Sequence, residues 1–300
     1  MKNLINPVII FIMGSFLLFS CKGESERSNA NSISDNPSGA ESPSATGVED
    51  ESIIYLFPAP GEVLERFYNT DMAFHSDLLN PVSRKDEYLT SRAKALNLGV
   101  YFTDFAYSVV FERQQESMDY LEALETMSRE VNISPAVYES LIGRTEDNLG
   151  TRDSLLHISR DMFFTTLEHL EQGEMQSTMA LVSAGAYIEA MYLALESVDQ
   201  YSEDHPVLQH ITELRYPMNN LLERARATSN DPNVSSIVIY LLEISDVFEE
   251  LETMTTESRV VKDSSNAISI IGGEEKKLTK EDFVRLREKI AEIRTNITQN

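Results

Sequence analysis

Apolar side chains recur at spacings of three and four residues along most of the chain after residue 53. The clearest segments lie between residues 233 and 254 and at the C-terminal end; their apolar positions are Ile237, Leu241, Ile244, Phe248 and Leu251, then Phe283, Leu286, Ile290, Ile293 and Ile297. This spacing gives a helix one apolar face, and it suits helices that pack at a shallow angle. The sequence therefore predicts an all-α fold, a multi-helix bundle of about eight or nine helices.

Proline and turn residues separate these helices. Asn80-Pro81 is a turn signal. Pro217 must kink or break the helix that starts at Pro206, because proline has no backbone N–H to donate. Between the last two helices, residues 259–273 hold two short apolar runs around a polar turn, which predicts a short β-hairpin or an extended flap.

Two local signals refine the helices. Ser83, with Asp86 in the capping-box position, predicts the start of a long helix over residues 84–113. Residues 183–186 have only small side chains, which on a helix predicts a close backbone approach to a neighbouring helix.

The first twenty-one residues form a separate segment. Lys2 is followed by an almost entirely apolar run, residues 8–19, and then by Ser20 and the single cysteine of the chain, Cys21. This resembles the lipobox of bacterial lipoproteins, which implies that residues 1–20 are a signal peptide and that Cys21 carries the lipid. A transmembrane helix is the alternative, but the run is short for a span of about 20 residues and Pro7 opens it.

The composition after the cysteine changes to Ser, Asn, Glu, Gly and Pro, and it predicts a disordered tether to residue 52. The predicted organisation is therefore a signal peptide (1–20), the lipidated cysteine with its tether (21–52) and a helical domain (53–300). Glu24 and Glu26 loosely resemble the acidic surface-export signal of Bacteroidota lipoproteins, and ordinary linker composition is the equal alternative.

The net charge and the absence of known motifs limit the partners and the kinds of site that this chain can have. The formal net charge of −24 should repel nucleic acid, so we expect no nucleic-acid partner. The sequence has no His-Glu-x-x-His or paired-cysteine zinc motif, no nucleotide-binding glycine loop and no Gly-x-Ser-x-Gly nucleophile elbow. Asp153, His157 and Asp161 share one helix face, a pattern more typical of solvated charges than of a metal site. We predict no catalytic residue, no metal and no cofactor.

Four polar residues stand out inside apolar helix segments. Tyr101, Asp104 and Tyr107 fall three apart on one stripe, and Glu189 lies in a second apolar segment. An unpaired buried carboxylate is costly, so each acid must be exposed or partnered. One interpretation is a ligand pocket between two core helices, with room beside Gly99 or Gly185. The favoured interpretation is structural: tyrosine hydroxyls satisfy the carboxylates and hold the helices in register.

Three segments carry a resemblance: Phe57–Glu62 (FPAPGE), Leu79–Val82 (LNPV) and Lys94–Tyr101 (KALNLGVY), the last followed by Asp104 and Tyr107. They resemble a family of uncharacterised Bacteroidota lipoproteins. The resemblance implies an all-helical exported domain on a lipid anchor, at the outer membrane. It implies no activity or substrate.

The sequence as a whole predicts an envelope lipoprotein that is held to the membrane by the lipid on Cys21 and is not an enzyme. Its expected role is a binding or scaffold protein for another envelope protein. The alternative is a small-molecule or cation sensory domain that uses Tyr101, Asp104, Tyr107 and Glu189 as its pocket.

Overall fold

The computed structural model describes residues 58–70, 72–262 and 268–299 of the chain, and for residues 256–275 only the backbone is considered. The predicted signal peptide, Cys21 and the tether lie outside the described residues. So do residues 53–57, with which the predicted helical domain begins.

Ten α-helices and one β-hairpin make up the described part of the chain. The helices are α1 (Pro60–Tyr68), α2 (Ser91–Val110), α3 (Gln114–Glu130), α4 (Ala136–Asp147), α5 (Arg152–Gln172), α6 (Gln176–Glu196), α7 (Pro206–Glu213), α8 (Arg215–Ala227), α9 (Pro232–Glu250) and α10 (Lys280–Thr298). Strands β1 (Glu252–Lys262) and β2 (Ile268–Lys277) pair antiparallel, with an irregularity in register between Thr256 and Arg259. The predicted all-α bundle with one hairpin is confirmed; the described residues form ten helices rather than about eight or nine, and the hairpin is longer than predicted.

The break between α7 and α8 follows from Pro217. In a continuous helix, the N–H of residue 217 would bond the carbonyl of Glu213, four residues earlier. Proline has no such N–H, and its ring crowds that carbonyl. The chain accordingly leaves α7 after Glu213 and starts α8 at Arg215, so the predicted break lies at Leu214.

The start of α2 differs from the prediction. Residues 82–87 form a 3₁₀ segment, and α2 begins only at Ser91, with Thr90 as its N-cap. The hydroxyl of Thr90 accepts a hydrogen bond from the N–H of Ala93 at 3.1 Å. The predicted cap at Ser83 is wrong because the helical path breaks at Tyr88, whose backbone is extended and whose side chain is buried in the core.

Helices α2 and α6 cross at the centre of the fold through a reciprocal pair of glycines. A Cβ on Gly99 of α2 would lie 2.0 Å from the carbonyl oxygen of Val182, and one on Gly185 of α6 would lie 1.9 Å from that of Leu96. The predicted close backbone approach at the small residues of α6 is confirmed. The space beside both glycines is therefore filled by the backbone of the partner helix.

Helix α6 is also the one described helix that is long and apolar enough to cross a membrane by length and composition. Within this fold, 83% of its apolar window is buried. That burial is typical of the core helix of a globular domain, and helices α1, α5, α8, α9 and α10 pack around it.

Candidate functional site

Both carboxylates singled out in the sequence are fully buried. Asp104 of α2 and Glu189 of α6 each have 0% of their surface exposed. The crossing at Gly99 and Gly185 brings their helices together, and the two carboxyl groups share a hydrogen bond. The structure therefore joins two residues that are far apart in the sequence, as the pocket and the structural interpretations both require.

Arg294 of α10 is the counter-ion of Glu189. Its Nε lies 3.0 Å from Oε2 and its Nη2 lies 3.1 Å from Oε1, so that the guanidinium binds the carboxylate with two hydrogen bonds. Nη2 also donates to the carbonyl oxygen of Leu78 at 2.9 Å, and the guanidinium carbon lies 4.7 Å from the centre of the Tyr192 ring. Such a fork is the arrangement in which a buried carboxylate keeps its charge.

Asp104 is the second acid of the cluster, and it has no cation of its own. Its Oδ2 accepts a hydrogen bond from the backbone N–H of Asn80 at 3.1 Å, while no N–H or O–H of the described residues donates to Oδ1. Burial, and then the charge of Glu189, raise the pKa of Asp104 well above its usual range. We infer that Asp104 is the protonated member and donates to Glu189, since Arg294 binds Glu189 directly.

We call Asn80, Asp104, Glu189 and Arg294 the polar core cluster. Asn80 joins it to the loop before α2: its side-chain Nδ2 donates to the hydroxyl of Tyr88 at 2.9 Å and to Oδ1 of Asn97 at 3.3 Å. Asn80 is itself 0% exposed. The turn predicted at Asn80-Pro81 is thus a buried junction between the loop and helix α2.

The tyrosines bind the backbone of that loop. The hydroxyl of Tyr101 donates to the carbonyl of Pro81 at 3.0 Å, and that of Tyr107 donates to the carbonyl of Ala73 at 3.0 Å. Tyr120, from α3, donates to the carbonyl of Asn80 at 2.9 Å. Burial raises the pKa of Tyr107 to about 12, so its hydroxyl keeps its proton at neutral pH.

These bonds change the structural interpretation in one respect. The tyrosine hydroxyls do not satisfy the two carboxylates, as the sequence suggested. They fasten residues 72–81, which have no regular structure apart from one short 3₁₀ turn, onto α2 and α3. Glu189 binds Arg294, and Oδ2 of Asp104 accepts the N–H of Asn80.

Two members of the cluster are missed by reasoning from the sequence. Arg294 had a signal: it lies four residues after Ile290 and three before Ile297, and so it falls on the apolar face of α10. Asn80 had none, because a turn signal does not distinguish a buried turn from an exposed one.

The described residues contain no group of three or more His, Cys, Asp or Glu side chains placed to hold a metal ion. On the surface of α5, Asp161 lies 3.2 Å from Arg144, as expected for a solvated charge pattern. Neither the cavity beside Phe163 and Tyr187 nor the one beside Val109 and Leu155 is lined by Asp104 or Glu189.

No protein-family model matches the chain, and neither a curated protein nor a solved structure matches it. The resemblance to Bacteroidota lipoproteins therefore stays a prediction, and any function must be argued from the residues themselves.

Proposed function

We propose that this protein is a lipid-anchored lipoprotein of the outer membrane whose helical domain is a non-catalytic binding or scaffold module. Cys21, at the end of the apolar leader, is the proposed lipid attachment site. The following 31 residues, 22 to 52, give a flexible tether with a reach of roughly 30 Å, which would hold the domain clear of the membrane.

One observation carries the non-catalytic part of the proposal: the polar groups between the core helices are used by the protein itself. Glu189 binds Arg294, and the hydroxyls of Tyr101 and Tyr107 bind loop carbonyls. A catalytic acid or base must reach a substrate. Here the two carboxyls, Asp104 and Glu189, are both 0% exposed.

A protein partner would therefore bind at the outer surface of the domain. Large apolar side chains are exposed on several elements: Tyr68, Leu89, Tyr216, Ile239, Met254 and Val284. Single exposed apolar residues are normal on a soluble domain, so the proposal does not depend on any one of them. The proposed partner is another protein of the cell envelope.

The anchor is tested by metabolic labelling with an alkyne analogue of palmitate. The wild-type chain should incorporate the label and sediment with the outer membrane. Cys21→Ser should lose both properties, whereas Ser20→Ala, next to it, should keep them. Labelling of Cys21→Ser at the wild-type level would contradict the proposed attachment site.

The binding role is tested by native mass spectrometry of the lipidated protein, extracted gently from its own membrane. The proposal predicts a co-purifying protein and no small adduct that depends on Asp104. A small adduct present in the wild type and lost in a folded Asp104→Asn variant would instead establish the sensory alternative, with the polar core cluster as its ligand site.

A further inference from the structure

Residues 72–81, between α1 and α2, form a strap that packs on the polar core cluster. The strap has no regular structure apart from one 3₁₀ turn, Ser76–Leu78. Side chains of three helices donate hydrogen bonds to its carbonyl oxygens; the donors are Tyr101, Tyr107, Tyr120 and Arg294. None of these bonds belongs to a helix backbone, so the strap can leave the surface of the helices while each helix stays intact.

The apolar contacts of the strap are few. Met72 and Leu79 are buried, each with 6% of its surface exposed. Phe74 and Leu78 are only partly buried, although the ring of Phe74 stacks on that of Tyr107 with 5.1 Å between the centres. The strap is therefore held largely by polar bonds, whose net contribution is modest because water can replace them when the strap lifts.

The closed strap encloses a proton. Asp104 and Glu189 share a hydrogen bond, which two carboxyl groups can form only when one of them is protonated. Both are 0% exposed, and Oδ2 of Asp104 accepts the N–H of Asn80 from the strap at 3.1 Å. If this proton left, two buried carboxylates would share the single guanidinium of Arg294, an arrangement that like-charge repulsion and burial disfavour. Lifting the strap admits water, which hydrates the charge of Asp104.

We propose that residues 72–81 are a pH-sensitive strap, which lifts as a unit when Asp104 gives up its proton and thereby opens the acid pair to water. The closed form holds the proton and the open form releases it to the solvent. A rise in pH therefore favours the open form, by up to about tenfold in the opening equilibrium per pH unit. The effect begins above about pH 4, where an exposed aspartate ionises, and it ends where Asp104 ionises in the closed form too. It depends on neither the lipid anchor nor a protein partner.

The other titratable groups around Asp104 come from each element packed against it. On α6, Glu189 is bound by Arg294 of α10 through two hydrogen bonds. Burial raises the pKa of the surrounding tyrosines above the usual value of about 10, so they keep their protons near neutral pH; they are Tyr88, Tyr101, Tyr107 and Tyr120. In the strap itself, His75 and Asp77 are titratable, and they provide the control positions.

Amide hydrogen exchange of the full chain, followed residue by residue by NMR, tests the strap. The reporters are the N–H groups of His75 and Asn80, which donate to Tyr107 and Asp104 in the closed form. Their exchange rates, divided by the intrinsic rate at each pH, give the opening equilibrium. It should rise by up to about tenfold per pH unit from about pH 5. At every pH it should exceed the opening equilibrium of amides in the middle of α2 and α6.

Three variants separate the proton of Asp104 from the other groups. Asp104→Asn has no proton to release, so the opening equilibrium should no longer depend on pH. Asp77→Asn and His75→Gln remove the titratable groups of the strap itself and should keep the pH dependence of the wild type.

Tyr107→Phe loosens the strap without changing the acid pair. It removes the acceptor for the N–H of His75 and the donor to the carbonyl of Ala73, both at 3.0 Å. Exchange at Asn80 should then show an opening equilibrium that is roughly tenfold larger at every pH, with the same pH dependence.

Two results would overturn the proposal. The first is exchange of His75 and Asn80 with the same opening equilibrium as the middle of α2 and α6, because the strap would then open only when the whole domain unfolds. The second is a strap opening that does not depend on pH in the wild type, or that keeps its pH dependence in a folded Asp104→Asn variant. If Asp104→Asn does not fold, the pH dependence of the wild type and of Tyr107→Phe decides, since a flat profile in both contradicts the proposal.

Discussion

Two buried polar side chains of α6, Glu189 and Ser183, differ in what surrounds them. Glu189 has Arg294 on both carboxylate oxygens and shares a hydrogen bond with Asp104. Ser183, six residues earlier, has no hydrogen-bond partner among the described residues and lines a cleft. The carboxylate that looks functional in the sequence thus has its partners within the protein, whereas the inconspicuous serine has none among the described residues.

The difference between Glu189 and Ser183 shows that the type of a residue says little about its role unless its hydrogen-bond partners are known. A carboxylate inside an apolar helix draws attention because an unpaired charge there is so costly. The same cost ensures that a folded chain provides a partner. A neutral serine hydroxyl costs much less to leave without a partner, so a fold can tolerate it.

The largest effect is expected when Glu189 loses its counter-ion. Arg294→Met leaves a buried carboxylate unpaired, and breaking such a pair costs about 3–5 kcal/mol of unfolding free energy. Urea denaturation measures it. Arg287→Met is the matched control: Arg287 pairs with Glu196 across the same two helices, but these side chains are 35% and 18% exposed. The control should cost about 1 kcal/mol, and equal losses for the two variants would contradict the account.

The close approach of α2 and α6 is the next test, because it brings Asp104 to Glu189. Gly99→Ala would place a methyl group 2.0 Å from the carbonyl oxygen of Val182, so the helices must separate, at a cost of about 1–3 kcal/mol. Gly143→Ala, on α4, has no neighbouring atom within 4 Å of the new Cβ and should stabilise the protein by about 0.5–1 kcal/mol. Changes of the same sign in thermal unfolding would be inconsistent with this packing.

The shared proton predicts a pH effect. The pKa of Asp104 is raised in the folded state by burial and by Glu189, so the folded protein holds this proton more tightly than the unfolded chain. Stability should therefore fall as pH rises from about 4, the usual aspartate value, toward the folded-state pKa, by at most about 1.4 kcal/mol per pH unit. Asp104→Asn keeps a neutral hydrogen-bonding group and should lack this contribution.

The measurement is urea denaturation of both proteins across this pH range. The wild-type chain should lose stability relative to Asp104→Asn as the pH rises. Parallel pH profiles would show that Asp104 carries no proton at the pH of folding, which would contradict its assignment as the protonated member of the pair.

The smallest effect concerns the serines. Ser183→Ala removes a hydroxyl that has no partner, so it should leave the unfolding free energy unchanged or slightly raise it. Ser108→Ala removes a hydroxyl that is bonded to the carbonyl of Asp104 and should cost about 0.5–1 kcal/mol. A larger loss for Ser183→Ala than for Ser108→Ala, by calorimetry, would mean that Ser183 already has a partner.

Much of the fold is predictable because local physics decides it. Three features show this: the apolar spacing of α9 and α10, the break before Pro217 and the small residues of α6. Each determines the structure within a few residues of its own position in the sequence. The start of α2 is not predictable in this way. The chain forms a 3₁₀ segment after Ser83, breaks at the buried Tyr88, and starts α2 at Ser91 with Thr90 as its N-cap.

Only part of the site was predictable from the sequence. Asp104 and Glu189 are visible as acids in apolar segments. The partner of Glu189, Arg294, lies 105 residues further along the chain, and the partner of Asp104, Asn80, lies in a loop. The sequence predicts that the hydroxyls of Tyr101 and Tyr107 form hydrogen bonds, but the predicted acceptors, the two carboxylates, are wrong. The real acceptors are backbone carbonyls of a loop, which a pattern of residue types cannot reveal.

We infer that the polar core cluster holds the fold together. A double-mutant cycle with Glu189→Gln, Arg294→Met and the two combined, measured by urea denaturation, tests it most directly. We predict strong coupling, with the double variant more stable than the sum of the single losses implies by about 2–3 kcal/mol. Additive losses within about 0.5 kcal/mol would contradict the claim, because the two side chains would then contribute independently.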